Sequence, residues 1–223
     1  MPPERILLLA GQHEFLDPRD RSGGPKTRHA SAFVDAYARM GYDGVYPSVV
    51  EADWLQEYSG DLPDFFRPAG HAGFVDTFTV GERTIAVVVY PEPARGPFPT
   101  DEQTAWVEQT IAALAGEADL VVGVCNWSKS GEEAYLEQAK NLPDILLGGG
   151  PGPSHPEMLA HNGRTLWARS FTKGRTVNKI TLYEWPEAKA GRTWHLGQNV
   201  LAETIVLDDS IRGDAEIDAL FQP

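Results

Sequence analysis

The chain has 223 residues, 42% of them hydrophobic, and a formal net charge of −13. This length can bury one sizeable core, so the sequence predicts a single domain over residues 1–223. The acidic balance excludes nucleic acid and anionic membranes as favoured partners, because both need clustered Lys and Arg. A run of about 20 apolar residues is missing, so no transmembrane helix is predicted.

Cysteine usage and the N-terminus bear on the compartment. Cys125 is the only cysteine, which excludes an internal disulfide and a zinc finger. It ends an apolar run, where we expect a buried inert thiol rather than a nucleophile. Arg5 interrupts the first apolar run, so no signal peptide is predicted. The expected location is cytoplasmic if the chain is complete, and exported if Met1 is not the natural start.

The first half of the chain predicts four strands and three helices. Apolar stretches predict strands at 6–10, 42–46, 73–80 and 83–90, with a two-residue hairpin turn at 81–82. Apolar side chains at helical spacing predict helices at 30–40, at 51–58 and after Thr100, where Gln103 completes a capping box. Residues 17–27 have the Gly and Pro content of a loop.

The second half of the chain opens on a strand–helix–strand unit. Strands are predicted at 119–125 and 144–148, and the helix between them is expected to begin at Ser130, with Glu133 completing a capping box. Further strands are predicted at 164–169 and 178–185, then a less regular tail with a short segment at 215–221. This order predicts an α/β fold of two mixed sheets packed face to face with helices outside.

Loops at the carboxyl ends of strands hold the chemistry of open α/β sheets. We therefore expect residues 126–128 and 149–152 to line any site. Residues 148–152 contain four glycines, but no Lys-Ser/Thr follows them, so a structural turn is favoured over a phosphate-binding loop.

Several phrases occur in the order and spacing of a known family. Residues 8–12 (Leu-Leu-Ala-Gly-Gln) are similar to a strand that ends in Ala-Gly-Asp, and 40–43 (Met-Gly-Tyr-Asp) match a later phrase. Residues 119–122 and 144–149 are similar to two strands that precede metal histidines, and 162–165 fit the hairpin that follows. The chain thus resembles the metallophosphoesterase domain of the 5′-nucleotidase family.

The resemblance implies a calcineurin-like metallophosphoesterase-type sandwich of mixed β-sheets flanked by helices. It implies that residues 1–223 are this one domain, and that the C-terminal nucleotidase substrate domain is absent. The resemblance also implies that the family's first strand, with its Asp-x-His motif, is absent before Met1, and we expect either that a rearrangement supplies this strand or that the open sheet edge serves as an interface.

In that family, two divalent metals are held by Asp, His and Asn side chains, and they polarise the phosphoryl oxygen and supply hydroxide. The resemblance places Gln12 on the bridging Asp and Asn126 on a metal histidine. It places residues 48–51 (Ser-Val-Val-Glu) on the Gly-Asn-His-Glu motif, and 149–152 on Gly-His-Ser-His. The implied vestigial-site positions are Gln12, Val49, Val50, Glu51, Asn126, Gly150 and Gly152; only Glu51 keeps the family's residue, and it is not a principal ligand there.

This loss of ligands predicts no catalytic residue, no metal and no cofactor. The first hypothesis is a catalytically inactive structural or protein-interaction subunit, which pairs with another protein or with a second copy. The second is a hydrolase with a remodelled site that uses Gln12, His13, Glu51 and Asn126. The third is a small-molecule binding protein that reuses the cleft.

Other candidate residues have a structural explanation as well as a functional one. His13 and Glu14 with Asp17 suggest a relocated metal site, but solvated loop residues are the simpler interpretation. His155 and His161 follow the Gly-rich turn, although their spacing across a proline is not a ligand signature. Val49 and Val50 are expected to have become core, and Trp54 and Trp127 to fill space left by the metals.

Overall fold

The computed structural model describes residues 6–16, 29–93, 96, 98–170, 175–185 and 193–222. Ten strands occur in these ranges: β1 Leu9–Ala10, β2 Gly44–Val45, β3 Phe74–Val80, β4 Arg83–Val89, β5 Leu120–Cys125, β6 Ile145–Gly148, β7 His155–Ala160, β8 Thr165–Arg169, β9 Thr176–Leu182 and β10 Val200–Val206. The helices there are α1 Ala30–Met40, α2 Val49–Ser59, α3 Asp101–Leu114, α4 Ser128–Gln138 and α5 Ala215–Leu220.

The central sheet has six strands in the order β3-β4-β5-β6-β8-β7. Strands β4, β5, β6 and β8 are parallel, whereas β3 and β7 run antiparallel at the two edges. The parallel strands therefore bring their carboxyl ends to one edge of the sheet and their amino ends to the other. The predicted hairpin is confirmed, since Val80 pairs with Arg83 across the two-residue turn.

Three buried hydrophobic clusters join four layers: helices α3 and α4, the central sheet, strands β1, β9 and β10, and helices α1 and α2. On one face of the central sheet, α3 and α4 pack through Val107, Ile111 and Tyr135. On the other face, β1, β9 and β10 contribute to a cluster with Val87, Val122 and Leu166 of the sheet. Helices α1 and α2 pack outside β1 and β2. The predicted sandwich of mixed sheets with outer helices is therefore confirmed.

Capping chemistry sets the starts of two helices. Thr100 caps α3 through a capping box with Gln103, as predicted. Ser48 and Glu51 form the same box at the start of α2, so that helix begins before the predicted residue 51. The predicted box at Ser130 is wrong, because α4 begins at Ser128 and its N-cap residue makes no side-chain cap bond.

The structure adds two strands that the sequence patterns missed. Strand β7 follows the Gly-rich turn, in residues for which no strand was predicted, and it pairs with β8 through an irregular register. Strand β10 lies in the tail that the sequence predicts to be less regular, and it pairs with β9 along its whole length. The first strand is shorter than predicted: β1 pairs with β2 in a separate two-stranded sheet.

Two expectations about burial have opposite outcomes. Cys125 is buried as predicted, and burial raises the pKa of its thiol well above the usual value. The expectation that Val49 and Val50 became core is wrong, because Val50 is 69% exposed and Val49 also reaches solvent. In the part of the chain that the structure describes, no helix has the length and apolar character needed to cross a bilayer.

Candidate functional site

Three side chains meet beyond the carboxyl ends of β1 and β5. The Asn126 side-chain amide donates a hydrogen bond to Gln12 Oε1, and its Nδ2 lies 2.9 Å from His13 Nε2. Because an amide nitrogen only donates, His13 Nε2 is the acceptor in this contact. His13 has a φ of 65°, an uncommon backbone conformation for a residue other than glycine. The fold thus brings Gln12 and Asn126 together, as the resemblance implies.

Glu51 joins the loop after β1 to the start of α2. Its side chain is 1% exposed, and its carboxylate accepts the backbone N–H groups of His13 at 2.9 Å, Phe15 at 2.9 Å and Leu16 at 3.2 Å. It also accepts the Ser48 N–H and hydroxyl, both at 2.9 Å. A buried carboxylate needs this many donors to offset its desolvation. Both Glu51 oxygens are therefore engaged in holding the loop.

The Gly-rich loop after β6 is organised around the buried side chain of Arg169. The Nη2 atom of Arg169 donates to the carbonyl oxygens of Gly149 and Gly150, each at 2.9 Å, and of Pro151 at 3.3 Å. Its Nε donates to the Pro153 carbonyl at 3.2 Å. The loop thus turns its carbonyls inward to a cation, whereas a phosphate cradle presents N–H groups to an anion. This geometry favours the structural turn that the sequence predicts.

Glu132 of α4 completes this buried network. Its carboxylate pairs with Arg169 and accepts the Trp167 indole N–H at 2.7 Å and the Gly149 N–H at 3.0 Å. Burial raises the pKa of Glu132 to about 7, although the Arg169 charge and the three donors oppose that shift. Sequence reasoning missed this pair, because nothing in the sequence links a helical Glu to an Arg at a strand end.

The backbone of the loop leaves no room for the family's two histidines. Gly150 has a φ of 72°, and a Cβ built there would lie 2.3 Å from Asn126 Oδ1. Gly152 has a φ of 129°, and its Cβ would lie 2.5 Å from Lys129 Cβ. Side chains at both positions would therefore require a different loop path.

The remaining candidate histidines lie elsewhere. His155 packs edge-on against Trp167, with ring centroids 4.5 Å apart, and burial lowers its pKa. His161 contacts the carbonyl oxygen of Leu136 through Nε2. Two candidate ligands of the relocated metal site remain. Glu14 accepts a hydrogen bond from the Tyr37 hydroxyl at 3.4 Å, and Asp17 lies outside the described residues.

The two candidate tryptophans lie in separate cores. Trp127 is fully buried beside Tyr90 and Tyr135, in the cluster beneath α3 and α4, and donates its indole N–H to the Pro91 carbonyl at 2.8 Å. Trp54 lies in the cluster between α1 and α2, where its ring contacts Tyr58. Each tryptophan thus packs against aromatic neighbours within its own cluster.

These side chains do not fit the family's two-metal centre. Such a centre needs several carboxylate or imidazole ligands aimed at one point. Among the described residues, no group of three or more His, Cys, Asp or Glu side chains is arranged to hold a metal ion. Gln12 and Asn126 are bonded to each other, and both Glu51 oxygens accept hydrogen bonds from the protein.

No protein-family model and no curated protein matches the chain. Among solved structures, it is similar to the sulfate thiohydrolase SoxB of Thermus thermophilus in complex with glycerol, with a TM-score of 0.63 and 17% identity. That match covers 96% of this chain and 41% of SoxB, so the chain spans about two fifths of that protein's length. A hypothetical protein from Thermus thermophilus matches with a TM-score of 0.42 and 14% identity, over 76% of each chain.

The similarity to SoxB shows the fold. SoxB is a metallophosphoesterase-type protein, and the described chain has a mixed six-stranded sheet flanked by helices. The predicted calcineurin-like fold class is therefore confirmed. At 17% identity, the likeness carries no activity over to this chain.

Proposed function

We propose that this chain is a catalytically inactive protein of the metallophosphoesterase fold that acts as a structural or protein-interaction subunit, with residues 1–223 as its single domain. The observation that supports this most is the bonding at the carboxyl edge of the sheet. There, Gln12, His13 and Asn126 contact one another, and Glu51 holds backbone N–H groups. Gln12, Asn126 and Glu51 carry no positive charge and are engaged within the protein, so they would not offset the charge of a phosphoryl group.

The same edge exposes apolar side chains that a partner would cover. Val50 and Val49 reach solvent in the first turn of α2, immediately before Glu51, and the Val49 N–H donates to Glu92 Oε1 at 3.0 Å. Contiguous exposed apolar side chains mark an interaction surface when they form part of a larger patch. The chain's charge of −13 favours a partner with basic groups around an apolar contact over a second copy of the chain.

A phosphoesterase assay tests the inactive part of this proposal. Purified protein with Mn²⁺ is incubated with bis(p-nitrophenyl) phosphate and with p-nitrophenyl phosphate. We expect release of nitrophenolate at the rate of the buffer alone. Turnover that is lost in Asn126→Ala and kept in Asn178→Ala would contradict the proposal and would establish the remodelled hydrolase instead.

Affinity capture from cells that make this chain tests the interaction part. The bait is the wild type, Val50→Asp or a matched control, Val177→Asp, which changes an exposed valine on β9. We expect a protein captured by the wild type and the control to be lost with Val50→Asp. Equal capture by all three baits would contradict the role of this edge, and self-association by sedimentation velocity would show that the partner is a second copy.

One observation favours small-molecule binding as a second candidate function. Among the described residues, none donates a hydrogen bond to the buried side-chain oxygen of Asn126, and a ligand with an N–H or O–H group would satisfy it. Native mass spectrometry of gently purified protein tests this candidate. A bound small molecule that is lost in Asn126→Leu would support it, and an unliganded mass in the wild type would contradict it.

A further inference from the structure

A second concave region lies at the opposite edge of the central sheet. It is a pocket of about 200 Å³ between α3, residues 140–142 and the turn before β8. Val121, Asp144 and Thr165 line it, at or next to the amino ends of β5, β6 and β8. Because Gln12 and Asn126 lie beyond the carboxyl ends, this pocket is separate from the site described above.

Helix α3 gives the pocket an apolar wall. Ile111 and Ala112 line it from the helix, Ala115 lines it from the position that follows the helix, and Leu142 lines it from the facing segment. Small alanine side chains leave open space along the helix where larger residues would fill it. A wall of this kind accepts a hydrocarbon group and offers it no hydrogen bonds.

The pocket lining also includes two cations and one acid. Lys140 and Arg164 line the pocket, and neither forms an ion pair in the part of the chain that the structure describes. Two acids lie nearby: Asp144 lines the pocket and accepts the Val121 N–H at 2.8 Å, and Glu108 accepts the Lys140 N–H at 2.9 Å. Both carboxylates are engaged with backbone N–H groups, whereas the two cations face solvent.

The turn that carries Arg164 is held in an unusual conformation. His161 and Asn162 have φ values of 49° and 56°, in the left-handed region that residues other than glycine rarely adopt. The His161 ring lines the pocket and is anchored at Nε2 by the Leu136 carbonyl. A carbonyl only accepts, so Nε2 carries the proton.

We propose that this pocket binds a small organic anion, with its carboxylate between Lys140 and Arg164 and its apolar body against Ala112 and Ala115. Guanidinium and ammonium groups bind carboxylates through charge-assisted hydrogen bonds. A pocket of about 200 Å³ is smaller than the ~300–1,000 Å³ of typical drug-sized sites, so the ligand is a small one. This inference does not depend on the function proposed for the other edge.

Hexanoate is the probe, since it pairs a carboxylate with a short apolar chain. Amide chemical shifts of the ¹⁵N-labelled protein are followed as hexanoate is added, with hexanol and inorganic phosphate in parallel. We expect saturable shifts at Ala112, Ala115, Lys140 and Arg164, and affinities at least about tenfold weaker for hexanol and phosphate. Equal affinity for hexanol or for phosphate would overturn the proposal, as would shifts elsewhere on the chain.

Three variants complete the test. Arg164→Gln is expected to weaken hexanoate about tenfold, because it removes one charge-assisted pair. Ala112→Leu keeps the charge and fills the apolar wall, so it should weaken hexanoate similarly. The matched control is Arg212→Gln, at an exposed position outside the pocket, and it should bind as the wild type does. Unchanged binding in Arg164→Gln or in Ala112→Leu would overturn the assignment.

Discussion

Two arginines lie at opposite ends of β8, and their surroundings differ completely. Arg169 ends the strand at the carboxyl edge of the sheet, is 2% exposed, and bonds to Glu132 and to four carbonyls of the Gly-rich loop. Arg164 precedes the strand at the amino edge, is exposed, and lines the pocket beside Lys140. The same residue type therefore serves the fold at one edge and is free for a ligand at the other.

This difference predicts that the carboxyl edge contributes to stability and that the amino edge contributes to binding. At the carboxyl edge, polar side chains bond mainly to each other and to the backbone, so their loss should cost stability. At the amino edge, the two cations contribute little to folding, so their loss should change binding alone. Stability measurements on matched variants separate these cases.

The largest effect is expected at the buried ion pair. Arg169→Leu leaves the Glu132 carboxylate and the loop carbonyls without their donor, and should lower the free energy of unfolding by about 3–5 kcal/mol. Urea denaturation above pH 7 measures it. The matched control is Arg39→Leu, which breaks the exposed pair with Glu216 and should cost less than about 1 kcal/mol. Equal losses in the two variants would show that the loop does not depend on Arg169.

Glu51→Ala should have the next largest effect. It removes the acceptor of the N–H groups of His13, Phe15 and Leu16, and it breaks the capping box of α2. A loss of about 2–3 kcal/mol is expected, because buried donors are left unpaired. Amide hydrogen exchange should show faster exchange at residues 13–16. Protection as in the wild type would mean that Glu51 does not hold the loop.

The raised pKa of Glu132 predicts a pH dependence. Its pKa is about 7 in the folded protein, above the usual 4.5, so the folded state holds this proton more tightly than the unfolded state. The stabilisation is complete below about pH 4.5 and is lost as the pH rises through 7, by on the order of 1–3 kcal/mol.

Glu132→Gln is the reference for this pH dependence, because it cannot titrate while His155 and Arg169 stay in place. The free energy of unfolding is measured for both proteins across the range from pH 5 to about pH 8. The wild type should lose stability relative to the variant as the pH rises. A relative gain would mean that the charge of Arg169 outweighs burial.

The smallest effects are expected for single polar contacts. Gln12→Ala removes one neutral hydrogen bond to Asn126 and should cost about 1 kcal/mol. Arg164→Gln at the open edge should stay within about 0.5 kcal/mol of the wild type. Thermal unfolding of both variants measures the contrast. A larger loss for Arg164→Gln than for Gln12→Ala would reverse the comparison between the two edges.

Local signals in the sequence predicted much of the fold. The helix at 30–40 and the capping box at Thr100 depend on nearby residues, and the structure confirms both, although Met40 at the end of that helix is 43% exposed. The box at Ser130 failed because Trp127 and Ser128 already turn the chain into α4. Strand β7 was missed because Pro156 and an irregular register hide the alternating pattern of an edge strand.

The candidate site was predicted in part. Contacts between residues far apart in the chain could not be predicted from local patterns. The fold brings Gln12 beside Asn126, which the order of the family phrases implied. The role of Glu51 in holding the loop was missed because the three loop N–H groups that it accepts lie more than thirty residues away in the chain. The exposure of Val50 was missed because an apolar residue after a helix cap has no local signal that tells surface from core.

Metal content tests the central claim most directly. The purified protein is incubated with Mn²⁺, desalted, and its metal content is measured by elemental mass spectrometry. Because Gln12, Asn126 and Glu51 are bonded within the protein, we predict fewer than about one ion per ten chains. One or two tightly held ions per chain would contradict the account and would show that these residues rearrange to form a metal centre.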